Sequence, residues 1–316
     1  MAGQLFGTNS LGGFYTNNEL SRQMRTVAQP TKRFRAAVKV KGAKGARAGN
    51  LLYFDKNRNV ATSGGQLTET NTIPETNYPI AQGTLTLNEY GLAIPWTGRL
   101  ETLSEFDIED AVQNALKNDS AKVLDSFAGA QFTSGEFKAV FASTASVNFQ
   151  RAGTASATSN SNLTAANWRT LCNQMRVDNI PFYDGSNYMV IGSVQLISGM
   201  HADAATAGFV DAAKYTGEYA SRLFSGEVGR FYMGRFVEET NYLPNTLGTG
   251  SAFGAGVAFG DDAVMEGVAV PEELRQKVPT DYGRSQGLAW YALVGWQKTW
   301  NETTDADERC VHITSL

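Results

Sequence analysis

The sequence predicts an α+β fold in which helices and strands follow a mixed order rather than regular βαβ repeats. Two segments carry this prediction. Apolar residues recur every three or four positions over 99–128, which predicts a long amphipathic helix, and an aromatic run at 281–300 predicts one or two buried strands. With 316 residues, 42% of them hydrophobic, the chain can bury a sizeable core in one elaborated domain or two.

Residues 48–98 predict a long β-hairpin. Its first leg contains Leu51, Tyr53 and Val60. Its return leg begins with the alternating polar and apolar residues of Thr84–Leu87 and continues from Tyr90 to Trp96. The connecting segment 62–81 is polar and longer than the roughly 12–15 residues usual for an unstructured loop, which is typical of functional or disordered segments. Because a two-stranded arm is not stable alone in water, we expect the hairpin to lie on a partner surface.

The sequence pattern in the middle of the chain, residues 137–260, indicates several short helices and strands. A helix is expected from Thr164, a suitable N-cap, to Asp178, because Trp168, Leu171 and Met175 fall on one face. The other expected elements are strands or irregular β structure at 137–149, a strand at 188–192, a helix at 194–200, two strands within 226–240 and an apolar segment at 257–260.

Basic residues are concentrated at the start of the chain. Residues 1–47 contain nine Lys or Arg and one acid, a net charge of +8, whereas the rest contains 18 basic and 30 acidic residues. The segment has no clear helical or strand period, so we expect an extended arm that packs on another surface. Its charge favours contact with acidic faces of other copies or with nucleic acid, and a solvated basic tail is the simpler alternative.

The composition argues against several classes of protein. Two cysteines without CxxC spacing, Cys172 and Cys310, indicate neither a disulfide framework nor a zinc site, and Cys172 is expected to be a buried thiol. Residues 1–10 lack the basic start and apolar core of a signal peptide, so we expect synthesis in the cytoplasm. No run reaches the roughly 18 apolar residues of a membrane span.

The sequence also lacks the motifs of common catalytic sites. Its two histidines, His201 and His312, are expected to be structural, and no nucleophile elbow, phosphate-binding loop or dinucleotide fingerprint occurs. Acidic pairs at 238–239, 261–262 and 272–273 could act as a glycosidase pair only if the two carboxylates faced each other, and neighbours on a strand point to opposite faces. We therefore expect these pairs on the surface, solvated or in salt bridges. We expect the aromatic residues of 288–300 to pack in the core. No catalytic, cofactor-binding or metal-binding residue is predicted.

The order of arm, long hairpin, long helix, α/β middle and aromatic C-terminal strands resembles the Hong Kong 97-type fold of tailed-phage major capsid proteins. Residues 226–241, GEVGRFYMGRFVEETN, resemble the "G-E-I-G … G-x-R-F-V-E-T" run of the N-four-like podophage capsid family. The Asn88–Gly91 segment resembles that family's "Q-Y-G" hairpin return. Residues 282–300 resemble its closing "D-P-x-G-Q-R-G-x-x-x-W-K" strands, with Tyr282 in place of the proline.

The resemblance implies five parts and a function. The parts are an N-terminal arm at 1–47, an extended hairpin loop at 48–98, a peripheral domain with a spine helix at 99–164, an axial domain at 165–258, and peripheral return strands with the C-terminus at 259–316. Hexamers and pentamers of the chain would close into an icosahedral virion shell that encloses double-stranded DNA without sequence specificity. A portal protein, and scaffold or cement proteins, would be further partners; no membrane and no cofactor are implied.

Two sets of residues are candidates for assembly contacts. The basic side chains of the arm would form inter-subunit ion pairs or touch DNA: Arg22, Arg25, Lys32, Arg33, Arg35, Lys39 and Lys41. The hairpin tip would contact a neighbouring copy: Thr68, Glu69, Thr70, Asn71 and Glu75.

Three other classes of protein remain open. An encapsulin-like compartment shell would have the same fold and hold a cargo enzyme in place of DNA. A decoration protein or tail tube would lack a spine helix preceded by a long hairpin. A secreted glycan-active enzyme fits the Asn and Thr content and the tryptophans, but not the missing signal peptide or the scarcity of histidine.

Overall fold

The computed structural model describes residues 28–42, 49–58, 60, 64–69, 72–104, 107–202, 227–278, 281–282, 284–305 and 307–316. The helices are α1 Gly98–Leu103, α2 Ile108–Thr133, α3 Ala165–Val177, α4 Val194–Ala202 and α5 Glu302–Asp305, with 3-10 turns at Arg35–Ala37 and Thr249–Ser251. The strands are β1 Lys39–Gly42, β2 Leu51–Asn57, β3 Ile80–Thr86, β4 Asn88–Thr97, β5 Lys138–Ser143, β6 Ser146–Gln150, β7 Tyr188–Ser193, β8 Glu227–Phe231, β9 Gly234–Glu239, β10 Gly256–Phe259, β11 Val264–Gln276, β12 Ser285–Lys298 and β13 Cys310–Ile313.

A four-stranded sheet with the order β1-β11-β12-β4 forms the support for the long helix α2. Alternate residues of β12, among them Leu288, Trp290 and Trp296, are buried in the same core as the apolar stripe of α2. The Trp290 indole also donates a hydrogen bond to Asp119 Oδ2 on α2 at 2.9 Å. The aromatic C-terminal run is therefore core, as expected, and forms one strand of this sheet.

A seven-stranded sheet with the order β6-β5-β13-β10-β7-β9-β8 forms the second unit. One of its faces carries Tyr188, Val190 and Phe236, which pack with residues of α3 and α4, and the other face joins the core of α2. This sheet takes β5 and β6 from before residue 164 and β13 from after residue 258. The domain boundaries expected from the resemblance thus separate strands of one sheet.

The predicted hairpin is shorter than expected. β2 pairs with β3 in antiparallel register from Leu51–Thr86 to Asn57–Ile80, but β4 pairs with β12 of the four-stranded sheet. The predicted return leg from Thr84 to Trp96 therefore changes sheets at Leu87. The apolar alternation shifts phase there, from Leu85 and Leu87 before the change to Tyr90, Ile94 and Trp96 after it.

The predicted helix at 99–128 is two helices. Asp107 interrupts it, because its carboxylate accepts hydrogen bonds from the backbone N–H groups of Glu109 and Asp110 and so caps a new helix. The helix also continues past Gly129, where a side chain would meet Tyr242 at 2.8 Å and Phe34 at 2.9 Å. The predicted helix ended at residue 128, whereas Gly129 lies inside the observed helix and allows close packing there.

Candidate assembly surfaces

The base of the β2–β3 hairpin packs on the face of the four-stranded sheet opposite α2. Phe54, Leu85 and Leu87 are buried there against Met265 and Leu293 of the sheet. A main-chain hydrogen bond from Leu87 N to Asn50 O, 2.9 Å long, closes the base. The hairpin is thus fixed at one end by its own chain.

The outer part of the hairpin has no cover from its own chain. Residues 64–69 and 72–79 are exposed throughout and form no strand. Their apolar side chains include Ile73, 72% exposed, and Tyr78, 56% exposed. The predicted contacts Thr68, Glu69 and Glu75 lie in this exposed segment, whereas Thr70 and Asn71 lie outside the described residues.

The chain segment 28–42, expected to be part of an extended arm on another surface, is attached to the chain's own body through one buried residue and a strand pairing. Phe34 is fully buried, 5.6 Å from the Phe132 ring and 6.1 Å from the Tyr242 ring between centroids. Strand β1 extends the four-stranded sheet by pairing in parallel with β11. A single aromatic residue among basic ones gave no periodic signal by which the sequence could have predicted this anchor.

Arg35 binds two carboxylates of its own chain. Its Nε donates to Glu266 Oε1 at 3.0 Å, and its two terminal nitrogens donate to the two oxygens of Glu272 at 2.9 Å each. The hydrogen bond from Arg35 lowers the pKa of Glu272, whereas burial raises the pKa of Glu266 despite the neighbouring guanidinium. Arg35 thus joins the arm segment to β11.

The other basic residues of the arm differ in position. Lys39 pairs with Asp261 at 2.8 Å, and Lys41 Nζ donates to the carbonyl of Tyr53 at 2.6 Å, so both contact their own chain. Lys32 and Arg33 are half-buried, and Arg22 and Arg25 lie outside the described residues. A role between subunits or toward DNA stays a prediction for these residues.

Buried carboxylates hold the arm segment and the turn beside it. Asp125 of α2 accepts the backbone N–H of Arg35 at 3.0 Å, and burial raises the pKa of Asp125 while the N–H groups it accepts oppose that shift. Glu239 accepts the N–H groups of Tyr242 and Leu243 at 2.7 and 3.0 Å, and burial likewise raises its pKa. Glu239 is fully buried, so the expectation that this acidic pair lies at the surface was wrong for it.

A second exposed segment, which the sequence did not predict, lies among the described residues of the connection 277–284 between β11 and β12. Val278 is 80% exposed and Tyr282 fully exposed. Asp281 and Tyr282 both have positive φ, 56° and 53°, as in a tight turn. The acidic and glycine residues of 281–283 are typical of a turn, whereas the aromatic run that follows them indicates only a buried strand.

The described residues contain no group of three side chains able to hold a metal ion. None of the helices in the described ranges has the length and apolar character needed to cross a membrane. Cys172 is buried, as expected, and burial raises the pKa of its thiol to about 11.

No protein-family model matches the sequence, and no curated protein sequence matches it either. Solved phage capsid structures share its fold. The capsid of Ralstonia phage GP4 matches with a TM-score of 0.67 and 15% identity over 99% of this chain and 98% of that chain. The acidic stable capsid of Helicobacter pylori bacteriophage KHP30 matches with a TM-score of 0.68 and 12% identity over 95% of both chains. The cyanophage Pam1 capsid gives 0.67 and 13% identity over 95% and 96%.

These matches extend over nearly the whole length of both chains in each pair. The predicted α+β fold of a phage capsid protein is therefore confirmed.

Proposed function

We propose that the chain is the major capsid protein of a tailed phage, and that its copies assemble into an icosahedral head around double-stranded DNA. The observation that carries this proposal is the fold shared with phage capsid chains over about 95% of the chain. The role is structural rather than catalytic, and the protein is expected in the virion.

The projecting hairpin supports assembly through neighbouring copies. Its described outer residues expose apolar side chains and form no strand, and a second copy would cover them. We place the axial domain in the seven-stranded sheet with α3 and α4, and the peripheral domain in the four-stranded sheet with the spine helix α2. Hexamers and pentamers of the chain would contact a portal protein and, in addition, scaffold or cement proteins.

The test is expression of the chain alone and with its neighbouring genes, followed by electron microscopy and analysis of particle contents. Closed shells with hexameric and pentameric capsomers, filled with DNA in the presence of the packaging genes, are expected. Shells that hold a protein cargo and never DNA would favour an encapsulin-like compartment. A monomeric protein under both conditions would contradict the proposal.

A further inference from the structure

Two glycines lie directly opposite each other beneath the base of the hairpin. Gly267 of β11 and Gly295 of β12 are register partners in the four-stranded sheet. A Cβ on Gly295 would lie 2.1 Å from the carbonyl oxygen of Thr86. A Cβ on Gly267 would lie 2.5 Å from Leu52 Cδ1 and 2.7 Å from Leu85 Cδ2. The missing side chains leave a trough in the sheet, and the hairpin lies in it.

Further contacts hold the hairpin on other sides. Lys41 Nζ donates to the carbonyl of Tyr53 at 2.6 Å, from the neighbouring strand β1. Lys56 Nζ lies 5.8 Å from the centre of the Trp300 ring, just past the end of β12. The trough below the hairpin and these two contacts beside it together fix the direction in which the hairpin extends from its own sheet.

We propose that Gly267 and Gly295 form a positioning seat that sets the direction of the β2–β3 hairpin before it meets a second copy of the chain. This rests on the proposed capsid function. A hairpin already aligned with its partner surface forms the contact without a further ordering cost. Because a closed shell repeats that contact between many copies, a change in hairpin direction affects every one of them.

The geometry predicts a graded effect of alanine. Gly295→Ala meets a backbone carbonyl, which cannot rotate away, whereas Gly267→Ala meets the tips of two leucine side chains, which can. The control is Gly42→Ala, since no atom lies within 4 Å of its Cβ position and its φ is not positive. We expect Gly295→Ala to raise the subunit concentration needed for shells by about tenfold or more. Gly267→Ala should raise it less, and Gly42→Ala should leave it unchanged.

A distance measurement separates hairpin direction from stability. Spin labels at Gln82→Cys in the hairpin and Asn114→Cys on α2 report the hairpin direction in unassembled subunits, and the buried native cysteines stay unlabelled. We expect one narrow distance distribution in the parent and in Gly42→Ala, and a shifted or broadened one in Gly295→Ala. Thermal unfolding of each variant monitors the fold.

The outcomes distinguish this inference from the proposed function. If the parent forms no shells, the capsid proposal fails, and the spin-label distances still decide whether the glycines set the hairpin direction. Unchanged distances and unchanged assembly in Gly295→Ala would overturn the seat. If Gly295→Ala does not fold, Gly267→Ala is compared with the Gly267→Ala/Leu52→Ala double variant. Recovery of hairpin direction and assembly in the double variant supports the seat, and equal behaviour of the two overturns it.

Discussion

A buried ion pair joins the end of the spine helix to both sheets. Lys298 Nζ lies 2.9 Å from Glu308 Oε1, and the two side chains are 7% and 0% exposed. Glu308 Oε2 also accepts the backbone N–H groups of Glu136 and Phe137 at 2.9 Å each. The carboxylate therefore fixes the chain where α2 gives way to β5.

Replacement of the lysine should cost far more stability than loss of a surface pair. Lys298→Met leaves Glu308 buried without its cation, so we expect the free energy of unfolding in urea to fall by about 3–5 kcal/mol. The Lys298→Met/Glu308→Gln double variant should recover part of this. The control Arg284→Met removes an ion pair with Asp281 whose side chains are 82% and 60% exposed, and it should leave stability unchanged. Equal effects of Lys298→Met and the control would contradict the prediction.

The lowered pKa of His312 predicts that this residue's contribution to the stability of the fold is lost as the pH falls. Burial, with a smaller contribution from Lys138, lowers the pKa of His312 to about 4, below its ordinary value of 6.5. The unfolded chain therefore takes up a proton between pH 6.5 and 4 while the folded chain does not, so this contribution to stability is present above pH 6.5 and lost as the pH falls toward 4.

His312→Gln should remove that pH dependence. We expect the difference in unfolding free energy between parent and variant to change by about 2–3 kcal/mol from pH 7 to pH 4. The comparison cancels the buried carboxylates Asp125, Glu239 and Glu266, whose raised pKa values act in the opposite direction in both proteins. A difference that stays constant across this range would show that His312 titrates normally.

At the scale of elements, the segment 28–42 depends on one aromatic anchor. Phe34→Ala removes a fully buried ring from between α2 and the turn that carries Tyr242, and should cost about 3–5 kcal/mol in urea unfolding. Val40→Ala in β1, where the side chain is 64% exposed, is the matched control and should have little effect. Similar values for the two variants would mean that the segment does not stabilise the body.

Elements with local signals were predicted well, and elements defined by distant partners were not. The helix predicted at 164–178 is α3, because Thr164 caps it through Asn167 N and one apolar face packs on the second sheet. By contrast, β3 and β4 are separated only by Leu87, and their different partners lie far away in the sequence. Alternation identifies a strand and its buried face, but it does not identify the strand with which it pairs.

At the scale of the whole molecule, local sequence signals again predicted exposure, whereas positions that depend on distant residues were missed. The exposure of the described tip residues 64–69 and 72–79 was predicted because their polar composition is a local property. The ion pairs of Arg35 and the burial of Glu239 were not, because the first depend on carboxylates more than 200 positions away and the second on a turn formed by tertiary packing. The hairpin and the described residues of the connection 277–284 lie at opposite ends of the four-stranded sheet, and under the proposed capsid function this placement suits head-to-tail contacts between copies in a closed ring.

The basic residues at the start of the chain predict that the retention of DNA by assembled heads depends on salt concentration. We expect Arg22→Gln/Arg25→Gln/Lys32→Gln to reduce the DNA retained by heads or the number of heads, since three cations that neutralise phosphates or acidic bodies are lost. Lys117→Gln/Lys122→Gln, on the exposed face of α2, is the control. DNA content is measured by buoyant density after incubation at increasing salt. Heads of normal number and density from the triple variant would remove these residues from the contact.

Removal of the hairpin tip should separate folding from assembly. Deletion of residues 62–79 leaves four residues between β2 and β3, enough for a hairpin turn, and removes a segment that is exposed wherever it is described. We therefore expect the subunit's free energy of unfolding to change by no more than about 0.5 kcal/mol, because none of the described side chains removed is buried. Shells should be absent by electron microscopy and sedimentation, because each copy loses the part that reaches its neighbour. A Gly-Ser replacement of the same length is the matched control for loop length, and it should also fail, since it restores reach but not Ile73 and Tyr78. Shells of normal yield from the deletion would show that copies bind through other surfaces, of which the turn at 277–284 is the next to test.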